Sequence, residues 1–173
     1  MNPRDTADEL LLQLTALPIS REAFAPYGWL ASADGRPTRP INEGSTQRAD
    51  GMGELALTAA GGEPCLALFR ARAQDPQGPW TMLERHVHGT QTFVPLGGSR
   101  CVVLVALGQD APDMATLAAF AVAGDQAFTL SAGTWHHGLI ALDDGDFVII
   151  ERRATAIDCE LAPLPRPVRI KLG

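Results

Sequence analysis

The residues of this chain best equipped for chemistry are its four histidines, which fall in two tight clusters about fifty residues apart. The first cluster is Glu84-Arg-His86-Val-His88-Gly-Thr-Gln91, and the second is Ser131-Ala-Gly-Thr-Trp-His136-His137. On a strand, side chains alternate between faces, so His86 and His88 are expected to point the same way, with Glu84 sharing their parity. Two imidazoles on one face, closely followed by Gln or Glu, can bind a divalent metal. A neutral imidazole can also take a proton near neutral pH. In the second cluster a turn feeds a strand whose first residues are histidine. Either cluster suits metal-assisted or acid–base work on a small molecule.

The rest of the composition narrows the partners. The net charge is −6, and Lys171 is the sole lysine among 14 basic residues. No basic run is present, so a nucleic-acid surface is not expected. Arginine forks a carboxylate bidentately, which suits a small anionic metabolite. Cys65, Cys101 and Cys159 are odd in number and far apart, and two of them stand in apolar runs. They read as reduced thiols of a cytoplasmic protein. No stretch reaches the 18 apolar residues of a membrane span, and the first residues lack a signal-peptide pattern.

These side chains must be positioned by a β framework. Runs rich in Val, Ile, Leu, Phe and Thr cover Cys65–Arg72, Trp80–His88, Gln91–Leu96, Arg100–Leu107, Leu117–Val122, Gln126–Leu130, Gly138–Leu142 and Phe147–Arg153. Turn residues such as Gly97-Gly98, Gly124-Asp125 and Asp143-Asp-Gly-Asp146 separate them. Short strands at roughly ten-residue spacing predict an antiparallel sandwich or barrel rather than βαβ units. Ser20 is placed to cap a helical turn that Pro26-Tyr-Gly28 stops. Leu10–Leu17 fits either a short helix or an entry strand. Ala31–Gly53, rich in Gly, Pro, Asn and Asp, is expected to be a long functional loop. Pro163–Pro167 reads as an extended polyproline-like tail packed across the barrel. Residues 1–8 are expected to be disordered, and residues 9–173 to form one domain.

The two histidine clusters resemble the paired motifs of the cupin superfamily. One motif is His-x-His followed by Glu or Gln, matched at His86, His88 and Gln91. The other ends in Gly-x-x-His, matched at Gly133 and His136, with Ser131 where proline is usual. The resemblance implies an all-β fold: a double-stranded β-helix, or jelly-roll barrel, with a few short helices. It also implies that His86, His88, Gln91 and His136 meet in the barrel mouth, where they could hold a divalent ion such as nickel, zinc or manganese.

A narrower resemblance covers about Leu17 to Glu160. Ile41-Asn42-x-Gly44 with Arg48, Phe69-Arg70-Ala71, Leu83-Glu-Arg-His86, Gly89-Thr-Gln-Thr-Phe-Val-Pro95, Val103–Gly108 with Pro112-Asp113, and Trp135-His-His137 resemble the ureidoglycolate lyase family. The chain departs from that pattern at Val87 and Gly138, where the family has proline, and at His88, where it often has an apolar residue. The His-x-His pair is thus a cupin-type feature of this chain. The family's reaction removes the hydroxyl proton of a carbinolamine so that its carbon–nitrogen bond breaks, releasing glyoxylate and urea. The resemblance implies catalytic roles for His86 and His136, with Gln91 orienting. It implies substrate binding by Asn42, Gly44, Arg48 and Arg70, and a homodimer. Two other classes share these features: another metal-dependent cupin enzyme acting on a small organic acid, and a cupin that binds such an acid without turning it over.

Overall fold

The computed structural model describes residues 11–173; the expected disorder of residues 1–8 falls outside them. Among the described residues the strands are β1 (Leu12–Pro18), β2 (Gly28–Ala31), β3 (Arg39–Ile41), β4 (Thr46–Arg48), β5 (Glu63–Ala71), β6 (Trp80–Arg85) and β7 (Gln91–Pro95). They continue with β8 (Cys101–Leu107), β9 (Asp113–Val122), β10 (Ala127–Leu130), β11 (Trp135–His136), β12 (Ile140–Ala141), β13 (Gly145–Arg153) and β14 (Glu160–Leu172). The α-helix described is the single turn α1 (Arg21–Phe24), whose Ala23 N–H donates to the Ser20 side chain, so the expected cap is present.

One sheet has the order β11-β6-β14-β1-β9-β8-β12, and β11 pairs with β8 as well as β6, closing a ring. A five-stranded sheet, β2-β10-β7-β13-β5, packs against it. The expected cupin-type β-barrel is therefore the observed architecture. Strand β8 shows why the two layers cohere. Its continuous apolar run is buried on both faces, as a two-sided strand requires. Cys101, Val103 and Val105 join Phe24, Phe93, Phe120, Phe128, Phe147 and Ile149 between the sheets. Val102, Leu104 and Ala106 face the other way, toward Leu83, Trp135, Ile140, Val168 and Ile170, a cluster drawn from strands of the ring sheet. Burial pushes the Cys101 thiol up to about 12, so it stays a protonated core group.

Three expectations are refined. Of the two readings of Leu10–Leu17 the strand is the one observed: Leu12–Pro18 is held in parallel between β14 and β9. The Ala31–Gly53 loop contains the small hairpin β3–β4, turned through Asn42, Glu43 and Gly44 at φ of 49, 55 and 89°. The proline-rich tail is extended and packed on the barrel as expected, but as part of β14, paired with β6 and β1, rather than as a polyproline-like segment. Its register with β6 shifts between Pro163 and Val168, where prolines cannot donate to the ladder.

Strand β2 crosses β10 so closely that a Cβ on Gly28 would lie 1.9 Å from the Thr129 carbonyl oxygen. Gly28→Ala is expected to lower stability by about 1–3 kcal/mol, as overpacking does. Thermal unfolding checks it, and an unchanged midpoint would show that β2 can shift freely.

Candidate active site

The site begins where β6 ends. Glu84 stands opposite His136 in the antiparallel β6–β11 register, so both side chains lie on one face. His136 also stands opposite Val105 of the inter-sheet core, while its neighbour Trp135 faces the ring core. The His136 side chain is 2% exposed. Its Nδ1 donates to the Thr134 carbonyl at 3.0 Å, and its Nε2 lies 3.6 Å from Glu84 Oε1.

His86 lies one residue beyond β6. Its Nδ1 donates to the Asp158 carbonyl, and its own carbonyl accepts the Gly133 N–H at 2.7 Å. With each Nδ1 donating, both rings present the Nε2 lone pair, the tautomer of a metal ligand or a base. Both Nε2 atoms are buried and have no hydrogen-bond partner. The ring centroids are 5.4 Å apart, and donor atoms of Glu84, His86 and His136 all lie within 4.8 Å of one another. Two imidazoles and one carboxylate gathered this closely match the donor set of many divalent-metal enzymes. Two orphaned buried nitrogens are otherwise costly, and a cation would satisfy both. Burial lowers the His136 pKa to about 4, so the ring stays neutral, as ligation requires.

A second group of residues fixes this cluster. The Asp158 carboxylate accepts the N–H groups of Val87 at 2.8 Å and His88 at 2.9 Å, locking the bend after β6. The Arg152 side chain is 3% exposed and lies 3.7 Å from that carboxylate. It also donates to the carbonyls of Ala59 at 2.6 Å and Ala60 at 2.9 Å. Beside His86 opens a cavity of about 250 Å³, also lined by Thr90, Glu151, Arg153, Asp158 and Cys159. Glu151 accepts from Gln91 Nε2 at 2.9 Å, and Arg153 pairs with Glu63 at 2.7 Å in the exposed rim.

The residues singled out from sequence are therefore distributed unevenly. His86 and His136 come together. His88 does not join them: β6 stops at Arg85, the chain bends, and strand alternation no longer applies, so His88 is exposed. Gln91 is buried at the start of β7 and binds Glu151 rather than joining the three-donor cluster. Asn42, Gly44 and Arg48 lie on the exposed β3–β4 hairpin, where Arg48 pairs with Asp50 at 2.7 Å. Arg70, 81% exposed, pairs with Asp146. It lies five residues along β5 from Cys65, which lines the cavity, a separation of roughly 16 Å. His137 packs on Trp80 at 4.5 Å between ring centroids, and Trp135 is wall packing under the Arg85 guanidinium. Glu84, which shares the strand parity of His86, stands as the third donor where His88 and Gln91 are expected from sequence.

Comparison with known proteins adds a family. A family model described as ureidoglycolate lyase matches residues 11–171. A ureidoglycolate lyase of Burkholderia cepacia is 39% identical over 149 residues, which is 84% of this chain and 83% of that protein. One from Escherichia coli (strain K12) is 38% identical over 157 residues, 89% of this chain and 96% of its own length. One from Pseudomonas fluorescens (strain Pf0-1) is 34% identical over 148 residues, with coverage of 85% and 89%.

Proposed function

Since this chain belongs to the ureidoglycolate lyase family, we propose that it cleaves ureidoglycolate to glyoxylate and urea in the cavity beside His86. The observation that carries this reading is the Glu84–His86–His136 cluster, which meets the cavity through His86 and has two buried lone pairs left open. Ureidoglycolate bears a carboxylate and a hydroxyl on the carbon whose bond to nitrogen breaks. Arg153, whose pair with Glu63 sits at the cavity rim, is the cation assigned to the carboxylate, in preference to Arg70 or Arg48, whose pairs with Asp146 and Asp50 lie away from the cavity. The hydroxyl is directed at the three-donor cluster. Glu84, His86 and His136 would hold a divalent ion, with nickel, zinc and manganese as candidates; when bound it would supply Lewis-acid polarisation of the substrate oxygen.

The proton leaving the hydroxyl needs an acceptor outside that donor set. Glu151 lines the same cavity and is oriented by Gln91 Nε2, which gives Gln91 the orienting role. As the oxygen's electron pair forms the aldehyde, the carbon–nitrogen bond breaks toward nitrogen. The proton held by Glu151 passes to that nitrogen, so urea leaves neutral and the base is restored.

We further propose a cytoplasmic homodimer. Strand β5 ends the five-stranded sheet and presents Leu66 and Leu68 to solvent, an apolar edge suited to a second copy. No helix among the described residues is long and apolar enough to cross a membrane.

The test is glyoxylate release from ureidoglycolate by the purified protein. Treatment with a chelator is expected to lower the rate at least about tenfold, and nickel, zinc or manganese should restore it. Release that persists undiminished in chelator would remove the ion and leave the cluster as acid–base groups. Binding of substrate without any release would favour the non-catalytic acid-binding cupin.

A further inference from the structure

Each donor of the three-residue cluster has a second atom tied to another protein group. Thr134 orients His136 through its carbonyl, and Asp158 orients His86 in the same way. Glu84 differs, because a glutamate reaches its site on a flexible stem and its side chain is 31% exposed. The next residue after Asp158 supplies what the carboxylate needs. Cys159 Sγ lies 3.6 Å from Glu84 Oε2, while Oε1 lies 3.6 Å from His136 Nε2. The two carboxylate oxygens are thus divided between a donor and the open side of the cluster.

We propose that Cys159 is a positioning residue of this centre, its thiol donating to Glu84 Oε2 so that Oε1 is presented beside the two free imidazole nitrogens. This role rests on the divalent-metal reading given above. It gives a task to a thiol that the sequence reads only as reduced. Burial, with the Glu84 and Asp158 carboxylates nearby, holds the Cys159 thiol above its ordinary range, so the S–H is the form that faces Glu84. The arrangement also explains why Asp158 and Cys159 are adjacent: one short segment orients two of the three donors, one through its carbonyl and one through its side chain. Outer groups of this kind typically change metal affinity by about 10–100-fold when removed.

The experiment is calorimetric titration of the full-length protein with Zn²⁺ and, separately, Ni²⁺, comparing wild type, Cys159→Ala and Cys159→Ser, with thermal unfolding of each. Cys159→Ala is expected to weaken binding by about 10–100-fold while its apo-protein melts within a few degrees of wild type. Cys159→Ser keeps a donor and should recover most of the loss. Equal dissociation constants for wild type and Cys159→Ala would overturn the positioning role while leaving the metal centre standing. Equal loss in the alanine and serine variants would also overturn it, because the effect would then be packing. Wild type that binds neither ion would overturn the metal reading itself, and this role with it.

Discussion

His136→Ala is expected to reduce glyoxylate release by on the order of 100- to 10,000-fold in kcat/KM, with the protein still folded. The imidazole is nearly sealed from solvent, its Nδ1 is committed to Thr134, and its Nε2 has no hydrogen-bond partner among the described residues. A group held that way contributes little to stability through Nε2. The loss of its buried ring against the inter-sheet layer is offset in part by removal of an unsatisfied nitrogen, so the net cost should stay within about 2 kcal/mol. Chemistry should suffer far more, because the neighbouring Glu84 and His86 would lose the third member of their donor set. The check is steady-state kinetics on protein whose circular dichroism matches wild type. Activity above about a third of wild type would sink the assignment of this site. A parallel metal titration of the variant would show whether the lost function is ligation or proton transfer.

The second large effect is on stability. Arg152→Met is expected to cost about 3 kcal/mol, or roughly 6–12 °C in Tm for a chain of this size. The guanidinium is buried, so its removal leaves the Asp158 carboxylate and the carbonyls of Ala59 and Ala60 without their cation. Methionine preserves much of the stem, which isolates the charge from the packing. Because Asp158 also holds the Val87 and His88 amides, metal affinity should fall in the same variant. Arg70→Met provides the contrast. Its pair with Asp146 is solvent-exposed and screened, so its loss should scarcely move the melting temperature. Its KM for ureidoglycolate should also remain that of wild type if the carboxylate lies at Arg153. Equal melting shifts for the two variants would refute the buried-clamp account, and a large rise in KM for Arg70→Met would return Arg70 to the site.

Much of this protein was decided locally and could be read from the chain. Alternating and continuous apolar runs specify strands, because burial on one face or on two requires those patterns, and β8 is the clearest case. Ser20 caps its helical turn through an interaction three residues long. The two histidine clusters were legible for the same reason: a motif is a short-range pattern, and it brought His86 and His136 into view together. Tertiary structure decided the rest. The choice of Glu84 over His88 turns on where β6 ends, and that is set by Asp158, about seventy residues away in sequence. The arginines near the cavity are distinguished from those on the surface only by which carboxylates they meet: Asp158 and Glu63 there, Asp146 and Asp50 elsewhere. The proline-rich tail became a strand because β1 and β6 offered it two ladders, which no local propensity encodes. Cys159 gained its place beside Glu84 through that same β14–β6 pairing, since register across a sheet is fixed by distant partners and not by neighbours in sequence.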